Sequence, residues 1–223
     1  MIKTENLEKS FGERTIFRKA NLEFEDGKFY AFVGESGSGK TTLMRILSLI
    51  DNKYKGNLII DDVDVSKLSK KKAEKFRVKS FSYVFSEPYL LEYLSIRENA
   101  CLSKNLTLEP INNDELDKMI FYLKLETIIH NKINELSAGE KQRVSILRAL
   151  VSNRKYIMAD EPTAHLDPAN SKAILELLKR TTRELNKTVF VSLHDYTNLD
   201  LFDEVYQIKD LKITKLWLNY VFI

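Results

Sequence analysis

The sequence holds one cysteine, Cys101, in 223 residues. That excludes an internal disulfide and suits a reducing cytosol. No apolar run approaches the ~20 residues that a bilayer-spanning helix requires. The longest candidate, Leu216 to Ile223, is far too short and suits either a closing strand or a docking edge. The chain alone is therefore not expected to form a channel. Met1 to Glu5 lacks the apolar core of a signal peptide. There is no internal repeat, low-complexity stretch or flexible linker, and no basic stripe interleaved with aromatics, so nucleic acid is not expected as a partner. A net charge of +3 suits an anionic nucleotide or an acidic membrane surface and demands neither. An apolar share of 43% argues against disorder, and the length allows one substantial core with a subdomain.

What the chain does have is a glycine-rich loop, Gly34-Glu35-Ser36-Gly37-Ser38-Gly39-Lys40-Thr41-Thr42, which fits G-x-x-x-x-G-K-[ST]. It follows the apolar run Phe29 to Val33 and leads into the amphipathic Leu43 to Leu47. This strand–loop–helix setting is the context the phosphate-binding motif needs. Glycines let successive N–H groups converge on phosphate oxygens, and the helix N-terminus adds partial positive charge. Lys40 is placed to reach the β- and γ-phosphates and the Thr41 hydroxyl to ligate Mg²⁺.

Residues 2–33 have the alternation of strands, with turns at Phe11-Gly12 and Asp26-Gly27. A helix to about Leu49 gives way to a strand over Asn57–Ile60. Ser66 to Lys79 predicts an exposed, lysine-rich helix; Lys70, Lys71 and Lys72 form a solvated face rather than a lipid contact. Ser80 to Phe85 is a further strand. Residues 87–135 are mainly helical, with Ser95-Ile96-Arg97-Glu98 as a helix start and Leu116, Ile120 and Leu123 at helical spacing. From residue 137 helix and strand alternate, which implies a parallel sheet covered by helices. Asp167-Pro168 opens one of these helices. The expectation is an α/β chain, one domain over 1–223, with a helical insertion at about 87–135.

Tyr156 to Glu161 is a mostly apolar strand ending in two carboxylates. Asp160 is placed to hold Mg²⁺ through water, and Glu161 to polarise the attacking water as general base. Leu136-Ser137-Ala138-Gly139-Glu140 starts another amphipathic helix, with Ser137 and Glu140 as a capping pair. Such a start offers N–H donors to an anion.

These motifs, in this order, resemble the ATP-binding cassette ATPases over about residues 2–210. Leu136 to Arg143 looks like the family signature L-S-G-G-Q followed by Q-R. Ala159-Asp160-Glu161-Pro162-Thr163 matches A-D-E-P-T, and Ala164-His165-Leu166-Asp167 is similar to the D-loop. Thr188 to Asp195 resembles the strand ending in the switch histidine, here His194. The resemblance implies a phosphate-loop nucleotide triphosphatase core with a mixed, largely parallel sheet, an N-terminal antiparallel β subdomain and an inserted helical subdomain. It implies a head-to-tail dimer with two ATPs at the interface. Ser137, Ala138, Gly139 and Glu140 of one copy would then face the nucleotide of the other. His194 would orient Glu161 and the water, and Phe11 would stack on adenine, a simple packing role being its alternative.

The pattern also departs from the family. Ser86 stands where a glutamine normally approaches Mg²⁺, and a serine hydroxyl is too short to reach the ion unaided. Ala138 replaces the first signature glycine, and Glu140 the glutamine. Retention of Lys40, Thr41, Asp160, Glu161 and His194 favours a working ATPase. The segments Ser66 to Arg77 and Phe81 to Ala100 are similar to the subgroup serving macrolide and antimicrobial-peptide exporters and lipoprotein-release systems. The exposed aromatics Tyr89 and Tyr93 suit a permease contact or core packing equally. The resemblance implies an ATP-driven motor on the inner face of a bacterial membrane, held there by a separate integral permease. The alternative is a nucleotide-dependent switch that signals through a membrane partner without moving cargo.

Overall fold

The computed structural model describes residues 1–216. Of the apolar C-terminal segment expected as a strand or docking edge, only Leu216 falls inside that range. Strands β1 (Ile2–Phe11) and β2 (Arg14–Phe24) form a hairpin. With β4 (Lys55–Ile60) and β5 (Val63–Asp64) they make an antiparallel sheet of order β2-β1-β4-β5.

The second sheet combines β3 (Phe29–Val33), β6 (Phe81–Phe85), β7 (Tyr156–Asp160), β8 (Thr188–Leu193), β9 (Glu204–Lys209) and β10 (Lys212–Leu216). Its order is β10-β9-β3-β8-β7-β6, parallel from β9 to β6 with β10 antiparallel at the edge. Parallel strands require crossovers, so their two faces carry helices and the strands are apolar throughout. Every residue of β3 and β8 is buried. The two-residue period splits β3 between two cores. Ala31 and Val33 face Leu147 and Leu178, whereas Tyr30 and Phe32 face Leu43, Ile46 and Phe24 of the first sheet. Phe24 is the hub of this second core, edge-on to Tyr30, Phe190 and Tyr206 at 5.1 to 5.2 Å. Such pairs contribute about 0.5–1.5 kcal/mol each beyond area burial.

Helix α1 (Lys40–Leu47) follows β3, and α5 (Ala138–Val151) and α6 (Pro168–Glu184) cover the opposite face. The lysine-rich segment differs from its expectation. Val65–Lys67 forms one tight turn, Leu68 and Ser69 are extended, and α2 spans Lys70–Ser80. Leu68 packs against the second core, and that burial holds the chain out of a helix for two residues. Only Ala73 of α2 is buried, so its lysines are solvated.

Residues 87–135 contain two α-helices, α3 (Ile96–Thr107) and α4 (Asn113–Tyr122), each beginning where the sequence offers a start. Ser95 and Glu98 form the full capping box at the start of α3. Turns follow α4, anchored by buried Leu125 and Ile133.

Candidate nucleotide site

Three strands end at one level. Val33 lies opposite Leu193, and Asp160 opposite Ser192, so Gly34, Glu161 and His194 begin adjacent loops above the carboxyl edge of the sheet. In open α/β sheets this edge is where ligands bind.

The Gly34–Gly39 loop closes too tightly for side chains at two positions. Gly39 has φ +113°, and a Cβ there would lie 2.5 Å from Ile16 Cγ2. At Gly34 it would lie 2.6 Å from the Ile208 carbonyl oxygen. Gly39 caps α1 without a side-chain acceptor, so the first-turn N–H groups remain available to an anion. Ser38 Oγ is buried inside the loop without a protein partner, as suits a cradle for phosphate oxygens. Ser36 and Gly37 sit exposed at its rim, and Thr42 follows Thr41 in the first turn of α1.

Lys40 is buried; its Nζ donates to the carbonyls of Gly34 (2.8 Å) and Glu35 (3.1 Å). Burial pulls its pKa below the ordinary lysine value, against the opposing charges of Glu161 and Asp160. Its ammonium lies 3.4 Å from His194 Nδ1 and 3.9 Å from Glu161 Oε1. An ammonium can only donate, so Nδ1 accepts and the ring proton sits on Nε2. That nitrogen meets Glu161 Oε2 at 2.5 Å.

Asp160 Oδ1 accepts from Thr41 Oγ1 at 3.0 Å and from Ser192 Oγ at 2.6 Å. Ser192 Oγ in turn accepts the Glu161 N–H at 2.9 Å. Glu161 has φ +50°, a left-handed conformation that costs a non-glycine residue on the order of 1–3 kcal/mol. The turn sends the two neighbouring carboxylates to different partners. A hydroxyl and a carboxylate are hard oxygen donors, so Thr41 and Asp160 fit Mg²⁺. Ser86 stands one residue beyond Phe85, which pairs with Asp160, and is half-buried there. The Phe85 carbonyl is held by Gln142 Nε2 at 3.0 Å.

Phe11 is 55% exposed at the end of β1. Buried Lys9 lies 4.5 Å from its ring centroid and pairs with Asp51 at 2.6 Å. Phe11 lines a cleft of about 700 Å³ together with Thr42, Arg45 and Asp51.

Ser137, Ala138, Gly139 and Glu140 form a separate helix start. Ser137 caps α5, and its N and Oγ both donate to Glu140 Oε2 at 2.8 Å. These bonds, the side-chain one foremost, hold the Glu140 carboxyl below the usual range. The structure thus brings Lys40, Thr41, Asp160, Glu161 and His194 into one network, opens Phe11 beside it, and sets the signature residues apart. The sequence placed Gln142 in the Q-R pair and Ser192 in the strand before His194 but gave neither a role at the site. The one signal for Ser192 was a hydroxyl inside the apolar run Val189 to Leu193.

A strand-edge phosphate loop, an adjoining carboxylate pair and a histidine define a phosphate-loop nucleotide triphosphatase. A family model described as ABC transporter matches residues 17–164, and the chain belongs to that family. Its activity is accordingly ATP binding and hydrolysis. The lipoprotein-releasing system ATP-binding protein LolD of Leptospira interrogans is 35% identical over 87% of this chain and 82% of its own. The macrolide export ATP-binding/permease protein MacB of Campylobacter jejuni is 35% identical over 96% of this chain, which spans only 33% of that exporter. A solved dimeric post-hydrolysis state of an ATP-binding cassette, bound to ADP and phosphate, superposes with a TM-score of 0.81. It is 32% identical and covers 97% of this chain and 99% of that one.

Proposed function

We propose that two copies of this chain close head to tail on two ATP molecules, and that closure and hydrolysis drive a separate membrane permease exporting peptide, drug or lipid-like cargo. The observation that carries this reading is the contact network Lys40–His194–Glu161, formed apart from the Ser137 helix start. One copy holds the hydrolytic groups and the other supplies the second anion-binding helix. Lys40 grips the β- and γ-phosphates, with the Gly34–Gly39 loop and Thr42 around them and Phe11 against the adenine. Ser137 and the Gly139 N–H meet the γ-phosphate from the partner copy, with Ala138 and Glu140 beside it. Thr41 and, through water, Asp160 would hold Mg²⁺; when bound, the ion would neutralise phosphate charge. Ser86 would reach it only through a further water. Glu161 takes the proton of the attacking water, and the His194 Nε2–H fixes the carboxylate that receives it.

Residues 87–135 form the unit that meets the permease. An apolar groove of about 510 Å³ lies between β6 and α3, lined by Phe81, Tyr83, Tyr89, Leu102 and Leu106. Export is supported by the names of two of the relatives, one a lipoprotein-releasing ATPase and one a macrolide export ATP-binding/permease protein, while others at 32–34% identity are named for import. No helix among the described residues is long and apolar enough to cross a membrane. The chain reaches the inner face of the membrane through its permease.

Glu161→Gln tests the assignment. It should slow hydrolysis by about 10²-fold or more, general-base catalysis being worth ~10²–10⁴, and should accumulate an ATP-bound dimer in size-exclusion chromatography with Mg·ATP. Hydrolysis at the parental rate would refute the role of Glu161. Efflux measured with the permease present separates a motor from a switch.

A further inference from the structure

Ser192 lies inside β8 with no exposed surface. Its hydroxyl does two things at once. It donates to Asp160 Oδ1 at 2.6 Å and accepts the Glu161 N–H at 2.9 Å. With one proton and two lone pairs, a hydroxyl so engaged has its orientation fixed from both sides. It therefore ties both the last strand residue of β7 and the first residue of the turn, where Glu161 takes φ +50°, to β8. Thr41 reaches the same Asp160 oxygen from α1 at 3.0 Å. The carboxylate is thus clamped between a loop helix and a neighbouring strand.

We infer that Ser192 is a positioning residue for ATP hydrolysis, acting through Asp160 on the metal and through the Glu161 backbone on the general base. This rests on the reading of Asp160 and Glu161 given above. Ser192 acts through its two hydrogen bonds: it fixes the rotation of one carboxylate and the direction in which the other leaves the sheet. Outer-sphere partners of ligating carboxylates commonly carry this role.

The experiment compares Ser192→Thr with Ser192→Val in the full chain. The two differ by a hydroxyl for a methyl group at nearly equal volume, so overpacking cancels between them. Three readouts are taken: hydrogen exchange of the Glu161 amide without nucleotide, Mn²⁺ affinity in the presence of ADP by electron paramagnetic resonance, and kcat against KM. The threonine variant should retain slow exchange and the parental Mn²⁺ affinity. The valine variant should exchange faster at Glu161 and lose Mn²⁺ affinity by about 10–100-fold, with a matching fall in kcat. KM for ATP and metal-free ADP binding should not change. If valine matches threonine in Mn²⁺ affinity and amide exchange, the inference is wrong. Should the bulkier variants not fold, Ser192→Ala is measured for the same losses. Asp160→Asn is the control on the underlying reading. Unchanged Mn²⁺ affinity in that variant removes Asp160 as the metal holder, while exchange at the Glu161 amide still decides for or against Ser192.

Discussion

At Glu140 a family glutamine has become a carboxylate that folds back on its own helix. It accepts from Ser137 N and Ser137 Oγ, both at 2.8 Å, and in the proposed dimer the Ser137 hydroxyl so engaged is the donor that a partner's γ-phosphate would need. The negative charge also satisfies the positive end of α5, an effect worth about 0.3–1 kcal/mol. Both effects compete with an incoming phosphate. Glu140→Gln can keep the backbone half of the cap without the charge, so dimerisation should require less ATP. The expected gain is about two- to fivefold, the helix-end energy converted to affinity. ATP titrations of dimer formation in a Glu161→Gln background, with and without Glu140→Gln, check it; a weaker dimer in the double variant would show that the carboxylate assists closure. The pH dependence has a definite sign. The folded pKa of Glu140 lies below its ordinary 4.5, so its capping contribution is full above that value and is lost as pH falls through the folded pKa.

Helix α5 joins the signature to the segment after β6. Gln142 holds the Phe85 carbonyl at 3.0 Å, and Arg148 holds those of Pro88 (2.6 Å) and Tyr89 (3.0 Å). Ser86 and the groove residue Tyr89 therefore ride on the helix that begins at Ser137. Gln142 is buried, and Gln142→Leu keeps its bulk while orphaning the Phe85 carbonyl. Urea denaturation should show a loss of about 1–3 kcal/mol, the cost of a buried unsatisfied acceptor. Permease stimulation of hydrolysis should fall with it. A loss indistinguishable from zero would mean that the carbonyl finds another donor. The start of α5 was legible in the sequence, because Ser137 and Glu140 are three residues apart and cap locally. So were β3 and β7, as apolar runs ending at the glycine loop and at the carboxylates. Gln142 was not, since its acceptor lies 57 residues away, nor Ser192, 31 and 32 residues from its partners. The late start of α2 was hidden for the same reason: Leu68 leaves the helix to reach a core that only the tertiary fold assembles.

The whole molecule has a polar rivet at the edge remote from the nucleotide. At the amino end of β7, Lys155 pairs with Asp61 (2.5 Å) and Asp26 (2.8 Å), and the Tyr156 hydroxyl lies within hydrogen-bond reach of both carboxylates, its one proton nearer Asp61 (2.8 Å) than Asp26 (3.1 Å). The Met1 amino group joins both. Asp61 belongs to the turn between β4 and β5, and Asp26 to the turn between β2 and β3, so the cluster fastens the antiparallel sheet to the parallel one. Burial pushes the Asp61 carboxyl up, but Lys155, the Met1 amine and Tyr156 together hold it below its ordinary 3.8. Its stabilisation is therefore complete above that value and disappears as pH falls through the folded pKa. Lys155 has the opposite sign: its pKa is raised above 10.5, and its contribution is lost in alkali. Asp61 is 36% exposed, which reduces a charge-assisted bond to about 1 kcal/mol. Asp61→Asn should thus lower Tm by about 2–4 °C at neutral pH. The gap should begin to narrow as pH falls below 3.8 and close as the folded parent loses the charge through its lower pKa. ATP turnover at room temperature should be unaffected, since Asp160 sits at the other end of β7. Thermal melts of both proteins across this pH range, paired with turnover assays, make the check. A Tm gap independent of pH would mean that packing at the sheet junction, rather than the Asp61 charge, joins the two halves.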